Sequence, residues 1–219
     1  MTLLERIPAQ AIRDDGRTVL RTERLILRAP CLADAAAVAT LSNDRRIAEN
    51  TARVPHPYTL ADAEAFIAYI QGGGEQSFLV TLPDGTIVGS CGIGQLRGPV
   101  PEVGYWFGVP YWGRGYATEA AQAVNDYAFA ELGHDLLHAG ARVSNPASRR
   151  VLEKCGYEWT GVALQRVRAL DTSVPCDRFR LERGRWASFN SGRPALTAAL
   201  EEAAGGLSSV SSAAAYGPA

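Results

Sequence analysis

Residues 101–119, PEVGYWFGVPYWGRGYATE, decide the fold of this chain. They form an apolar strand-like run, then a glycine-bearing loop, then the start of a helix. Gly113, Gly115 and Ala117 allow a tight backbone turn because they carry little or no side chain. The N–H groups of such a loop, with the free N–H groups of a helix that begins near Thr118, would attract a phosphate or diphosphate. The pattern predicts a phosphorylated cofactor, although a plain glycine turn before a helix would explain the same residues.

The strand at the start of this stretch has two unlike faces. Alternation places Val103, Tyr105, Phe107 and Val109 on an apolar core face, and Glu102, Gly104, Trp106 and Gly108 on the other face. Glycines within a strand often leave space for a ligand or another backbone. A carboxylate beside such a space could take a proton from an incoming nucleophile. Glu102 is therefore either a general base or a solvent-facing residue at the start of a strand.

A second group of polar residues lies in the segment Asn145-Pro146-Ala147-Ser148. Asparagine followed by proline at the first helical position is a favourable helix start. Ser148 shares a helical stripe with Leu152 and Cys155, so its hydroxyl faces inward and needs a hydrogen-bond partner. The hydroxyl either bonds back to its own helix or faces a cleft as a donor.

The rest of the chain alternates between strand-like and helical patterns. Strands are predicted at 21–28, 77–82, 86–93, 100–109, 137–143, 157–166 and 178–185, and helices at 32–41, 59–72, 118–132 and 145–156. We expect one α/β (α+β) domain over residues 21–187, with a mixed sheet and helices on both faces. Residues 1–20 are predicted to be an N-terminal arm or an edge addition. Residues 188–219 are predicted to be an Ala/Gly/Ser-rich tail, partly disordered, with a short helix at 194–204.

Composition narrows the class of protein. The chain has 219 residues, 47% hydrophobic and 21% charged, with a net charge of −1, so it has no general attraction to nucleic acid or an anionic membrane. Four cysteines and three histidines lack the spacing of a metal site, which predicts reduced thiols and no metal. The first residues lack the apolar core of a signal peptide, and no run approaches the ~20 apolar residues that span a bilayer. We expect a cytoplasmic protein.

Together these segments resemble the GNAT superfamily of acetyl-CoA-dependent N-acetyltransferases. Within it they are most similar to the branch that includes bacterial ribosomal-protein N-terminal acetyltransferases. The similarity is carried by TERLILRAP, IVGSCGI, EVGYWF, YWGRGYATEA and NPASRRVLEKCGYEWTG, in the family's order over about residues 20–187. The resemblance implies the GNAT fold, with a mostly antiparallel sheet of about seven strands and a splayed strand pair that holds acetyl-CoA.

The resemblance also implies roles for individual residues. The pantetheine arm would lie where the strand ending at Val109 parts from the strand 137–143, and the diphosphate would bind the loop amides. The implied cofactor-binding residues are Phe107, Gly108, Val109, Trp112, Gly113, Arg114, Gly115, Tyr116, Ala117, Thr118 and Asn145. Glu102 aligns with a strand glutamate that other members use as general base, with a water chain as the alternative. Ser148 would protonate the leaving thiolate, and loops around 43–60 and 168–177 would contact the acceptor.

Three positions depart from the family pattern. Trp112 stands where the loop usually has glutamine or arginine. Leu152 stands where many members carry a tyrosine as general acid, and Val167 where some of the ribosomal-protein branch carry a glutamate base. Because main-chain amides dominate the binding of a diphosphate, we expect the tryptophan to be tolerated. Ser148 and Glu102 then remain as the catalytic candidates.

The predicted reaction is direct acetyl transfer from acetyl-CoA to a primary amine, with a protein or peptide N-terminus favoured. Two alternatives stay open: acetylation of a small amine such as an aminoglycoside, polyamine or amino acid, and a non-catalytic sensor of acyl-CoA. An open, neutral groove would favour a peptide, whereas an acidic pocket would favour a polycation. The amine acceptor is the expected partner, and a homodimer is compatible with the sequence.

Overall fold

The computed structural model describes residues 10–14, 17–95 and 98–190, and within them nine strands form one sheet in the order β1-β2-β3-β4-β5-β6-β7-β9-β8. The strands are β1 Gln10–Asp14, β2 Arg17–Arg21, β3 Ile26–Arg28, β4 Gln76–Thr81, β5 Ile87–Gly94, β6 Glu102–Phe107, β7 Leu136–Arg142, β8 Glu158–Val167 and β9 Thr172–Glu182. The helices are α1 Ala35–Ser42, α2 Arg45–Ala48, α3 Leu60–Gln71, α4 Tyr116–Ala130, α5 Pro146–Lys154 and α6 Arg183–Asn190. The mixed, mostly antiparallel architecture predicted from the sequence is confirmed.

The seven predicted strands correspond to β3 to β9, and the two additional strands come from the segment predicted as an arm or an edge addition. β1 and β2 form an antiparallel hairpin that extends the edge of the sheet beyond β3. The hairpin is held because Leu20, opposite Leu27, is only 1% exposed and belongs to the core. The predicted helix at 194–204 lies outside the described residues.

The C-terminal strands differ from the prediction in two places. The last strand ends at Glu182, and α6 follows where strand had been expected up to residue 185. Pro175, expected in a loop, lies inside β9. Proline is tolerated there because the pairing of β9 with β7 ends at Cys176, so residue 175 has a ladder partner only in β8.

Two apolar clusters cover the two faces of the sheet. The larger lies under α4 and α5, and Val103 and Phe107 of β6 belong to it. The smaller lies under α1 and α3, and Trp106 packs against its edge. The predicted alternation is therefore confirmed for residues 102–107, whereas the strand predicted at 100–109 is shorter, and Val109, predicted on the core face, lies beyond it in a 3₁₀ turn and is only half-buried. Among the described helices, none has the length and apolar character needed to cross a bilayer.

β6 and β7 form the one parallel pair of the described sheet, and their pairing is short. Only Glu102–His138 and Val103–Ala139 are in register, and beyond these positions the two strands separate. The rest of β6, from Gly104 onward, faces the end of β7 across a gap. This is the splayed strand pair that the family resemblance implied, and it positions the site.

Candidate active site

A cleft of about 430 Å³ passes through the sheet at this gap. Its walls come from β6, from the ends of β7 and β9, and from the first turn of α5. Residues 50–55 and Tyr58 form one rim, and Arg168 and Cys176 contribute from the β8–β9 hairpin. Parts of both loop regions expected to contact an acceptor therefore line the cleft.

Glu102 lies in the cleft and forms a two-point ion pair with Arg178 of β9. Arg178 Nη1 and Nη2 donate to the two carboxylate oxygens at 3.0 and 2.9 Å. The two side chains are only 10% and 16% exposed. Gly140 of β7 leaves room for the pair, because a Cβ there would stand 2.6 Å from Arg178 Nη1. Each carboxylate oxygen keeps a lone pair for a further donor, so Glu102 can still contact an amine or a water.

The two glycines on the Glu102 face of the 101–109 segment differ. A Cβ added to Gly104 would meet nothing within 4 Å, so this position opens into the cleft. A Cβ added to Gly108 would stand 2.2 Å from Leu41 of α1, so that space is already filled. The expectation of empty volume is confirmed at Gly104 and wrong at Gly108, because α1 packs over the end of the strand.

Ser148 contacts Tyr105 across the gap. Its Oγ lies 2.9 Å from the Tyr105 hydroxyl, which also donates to the Ser148 carbonyl at 3.2 Å. Asn145 is the N-cap of α5, and its Oδ1 accepts the Ser148 N–H at 3.1 Å. Burial raises the pKa of Tyr105 above its usual range, and the hydrogen bond with Ser148 partly opposes this rise. The phenol is therefore a neutral donor at neutral pH.

Sequence reasoning assigned Tyr105 only to the core and did not predict Arg178. A tyrosine on a core face was the available signal, since its hydroxyl needs a partner when buried. No local pattern marks Arg178, which is far from β6 in sequence. Leu152, at the family's usual tyrosine position, is fully buried in the core. Tyr105 thus brings a phenol to this region from strand β6, whereas position 152 lies on helix α5.

The glycine loop has the backbone conformation predicted for it. Gly113 and Gly115 have φ of 75° and 83°, which side-chain-bearing residues rarely adopt. α4 begins at Tyr116, two residues earlier than expected, so Ala117 lies in its first turn. The first intrahelical bond runs from the Glu119 N–H to the Gly115 carbonyl, at 3.1 Å. The amides of residues 116–118 therefore precede the helical ladder and can bind an anion.

Basic side chains surround the loop, and its one first-turn acid is paired. Arg24 forms a 2.6 Å ion pair with Glu119, and Thr22 Oγ1 donates to the same carboxylate at 2.6 Å. Arg24 also donates to the Arg114 carbonyl at 3.0 Å and stacks over the Tyr116 ring, 5.0 Å from its centroid. The neutralised carboxylate, the arginines and the free amides together fit a diphosphate.

Trp112 fastens the loop to the end of β6. Its indole N–H donates to the Phe107 carbonyl at 2.7 Å, and the residue is 47% exposed. This carbonyl keeps a second lone pair for another donor. Val109 opens a short 3₁₀ turn that leads from Gly108 to Trp112. The Trp112 side chain thus holds the loop against β6 through a hydrogen bond. This role accounts for a tryptophan where the family usually has glutamine or arginine.

Comparison with known proteins agrees with this geometry. Residues 24–158, more than half of the chain, match the acetyltransferase (GNAT) domain family. The uncharacterised N-acetyltransferase YnaD of Bacillus subtilis is 30% identical over 145 residues, which are 65% of this chain and 84% of YnaD. A solved GNAT-family acetyltransferase from Bacillus anthracis is 25% identical, with a TM-score of 0.67 over 76% of this chain and 99% of that chain.

A more distant structure shows the fold alone. Spermidine N-acetyltransferase from Vibrio cholerae, in complex with CoA and spermine, is 20% identical, with a TM-score of 0.64 over 74% of this chain and 98% of that chain. Three observations indicate the same family: the sheet with its splayed strand pair, the open glycine loop and the match to the family model. This chain belongs to the GNAT acetyltransferase family.

Proposed function

We propose that the protein transfers the acetyl group of acetyl-CoA directly to a primary amine, preferably the N-terminus of a protein or peptide. Membership of the GNAT family supports acetyl transfer. The observation that carries the proposal is the cleft through the sheet, with a hydroxyl pair on one face of β6 and a carboxylate on the other. Such an arrangement separates the group that protonates the departing thiolate from the group that accepts the proton of the amine.

Acetyl-CoA would bind along the gap between β6 and β7. The amides of residues 113–118 would hold its diphosphate, with Arg114 nearby. Main-chain groups of Phe107, Gly108 and Val109 would bond the pantetheine arm. Asn145 uses only its Oδ1 for capping, so its amide N–H₂ group would serve the same arm. This substrate supplies the acetyl group and a thiolate leaving group.

The amine must lose a proton before it attacks a carbonyl carbon. Glu102 would accept that proton, either directly or through a water at the lone pairs that Arg178 leaves free. Arg178 would act as a positioning residue, because its two bonds fix the plane of the carboxylate. Gly104 leaves the adjacent space open for the amine.

Ser148 would donate a proton to the thiolate as it departs. Its Oγ is 2.9 Å from the Tyr105 hydroxyl, so Tyr105 would transfer the phenol proton to Ser148 as Ser148 gives its own to the thiolate, and the phenolate would regain a proton from water once the products leave. Tyr105 would thus orient Ser148 and keep its hydroxyl pointing along the gap. Although position 152 carries no tyrosine, the reaction would then still have a proton donor.

The test is an acceptor screen with acetyl-CoA and a panel of peptides, amino acids, polyamines and aminoglycosides. Thiol release would be followed and the products identified by mass spectrometry. We expect transfer to at least one primary amine, most strongly among peptides. Tight binding of acetyl-CoA without transfer to any member of a broad panel would support the sensor alternative and contradict our proposal.

The two catalytic assignments have their own variants. Glu102→Gln and Ser148→Ala should each lower turnover by ~10²-fold or more, because general acid and base groups contribute this much. Glu131→Gln, an exposed carboxylate beyond the end of α4, is the matched control and should leave turnover unchanged. Unchanged rates in both active-site variants would remove these residues from the mechanism.

A further inference from the structure

The charges in the cleft do not balance. Of the residues that the structure describes, four arginines and three carboxylates line it: Arg53, Arg142, Arg168 and Arg178, and Asp62, Glu75 and Glu102. Two close pairs join Arg178 with Glu102 and Arg53 with Glu75, the latter at 2.8 Å. Arg168 stands 4.0 Å from Asp62. One arginine remains without an acid, and it is Arg142.

Arg142 lies at the end of β7 and is half-buried. Its Nη1 donates to the Glu49 carbonyl at 2.6 Å, and its Nε is buried without a hydrogen-bond partner. Among the described residues, no carboxylate lies within 4 Å of its guanidinium. A partly buried cation that lacks a counter-charge is costly, so burial of this kind points to an anionic partner from outside the chain.

The position of Arg142 relates this cation to the proposed amine site. Gly140 and Arg142 share one face of β7, two residues apart, which is about 6.6 Å along a strand. A Cβ at Gly140 would stand 3.4 Å from Glu102 Oε1. An amine at Glu102 would therefore have a guanidinium within reach of a group a few bonds further along the same molecule.

We infer that the acceptor carries a carboxylate a few bonds from its amine and that Arg142 binds this carboxylate. The inference rests on the proposed function and names the acceptor class for the same site. A peptide with an acidic side chain near its N-terminus and a free amino acid both have this chemistry. A polyamine does not, since it would bring more positive charge to a cleft with an excess arginine.

The experiment compares acceptors that differ only in charge. One pair of peptides carries Asp or Asn at the second position, and a small-molecule pair is β-alanine and its carboxamide, with spermidine as the polycation. Wild-type kcat/KM should favour the carboxylate member by about tenfold or more, as expected for a hydrogen bond to a charged group. Whichever pair shows the larger ratio identifies the source of the carboxylate.

The variants assign this preference to one side chain. Arg142→Gln should reduce the ratio to within about twofold while leaving the KM for acetyl-CoA unchanged, and Arg142→Lys should retain part of it. Arg150→Gln removes an exposed arginine of α5 outside the cleft and should keep the full ratio. Melting temperatures of all variants check that the Glu49 contact is not required for folding.

The outcomes separate the two proposals. Transfer to amines with equal kcat/KM for the charged and neutral members of both pairs would overturn this inference alone, even if no Arg142 variant folds. A preference that survives Arg142→Gln would also overturn it. No transfer to any amine would overturn the proposed function and the inference with it.

Discussion

The two faces of β6 carry different chemistry although they share a strand of six residues. Toward α4 and α5, Tyr105 meets Ser148 in an uncharged hydroxyl pair. Toward α1 and α3, Glu102 meets Arg178 in a nearly buried ion pair. Successive side chains of a strand point to opposite faces, so one residue step moves from one environment to the other. The comparison teaches that a single strand can hold an uncharged hydroxyl pair and an ion pair apart without a second domain.

The free energy of unfolding should fall most when one partner of the Glu102–Arg178 ion pair is removed. Arg178→Met leaves the Glu102 carboxylate nearly buried and without a counter-charge, which should lower the free energy of unfolding by about 3–5 kcal/mol. Chemical denaturation measures this loss. The double variant Glu102→Gln with Arg178→Met removes both charges and should recover most of it. A loss below about 1 kcal/mol for the single variant would mean that the ion pair is not a structural element of this face.

Each face of β6 also has a buried tyrosine nearby. The one on the side of α1 and α3 is Tyr58, and it should make the free energy of unfolding depend on pH. Burial raises the pKa of Tyr58, on the cleft-rim side, to about 12 from an ordinary value of 10.0. Between pH 10 and 12 the unfolded chain would ionise this phenol while the folded chain keeps it neutral. Stability should therefore fall as pH rises, by up to ~1.4 kcal/mol per pH unit for this group.

Denaturation at pH 9 and pH 11 tests this expectation. Tyr58→Phe should make the fall with pH shallower, because phenylalanine does not titrate. An equal slope in wild type and Tyr58→Phe would contradict the assignment of alkaline sensitivity to this face.

The smallest expected effect concerns the uncharged face. Tyr105→Phe keeps the ring but removes both hydrogen-bond contacts of the phenol with Ser148, to its Oγ and to its carbonyl, which should lower kcat about three- to tenfold. Because Tyr105 would act through Ser148, the KM for acetyl-CoA should not change, and adding the substitution to Ser148→Ala should have no further effect. A fully multiplicative loss in the double variant would show that the two hydroxyls act independently.

Much of the fold could be predicted because its signals are local. The alternation along β6, the glycines of the loop and the Asn-Pro helix start each depend on neighbouring residues, and all three are confirmed. The hairpin of β1 and β2 was not resolved from the sequence, because its segment is polar and short and is held chiefly by Leu20 in the core. Pro175 was predicted in a loop because a proline is unfavourable in a strand with two neighbours. The residues of β9 do not reveal that its pairing with β7 stops before Pro175.

The candidate site could be predicted only in part. Glu102 and Ser148 lie at the gap, but their partners Arg178 and Tyr105 are brought to them by the order of strands in the sheet. Arg142 gave no signal, since an arginine at a strand end is ordinary until its missing counter-charge is seen. Gly108 looked like Gly104 in the sequence, and only the packing of Leu41 distinguishes them.

The contacts of Thr22 and Arg24 with Glu119 have a consequence for how substitutions could change the binding properties of this GNAT protein. These two residues lie between β2 and β3, and their bonds join that edge of the sheet to the first turn of α4. If the proposed function is correct, substitution of Thr22 or Arg24 would change the affinity for acetyl-CoA while Glu102 and Ser148 stay in place. Sequence changes near the start of the domain would then alter the binding of this substrate independently of the choice of acceptor.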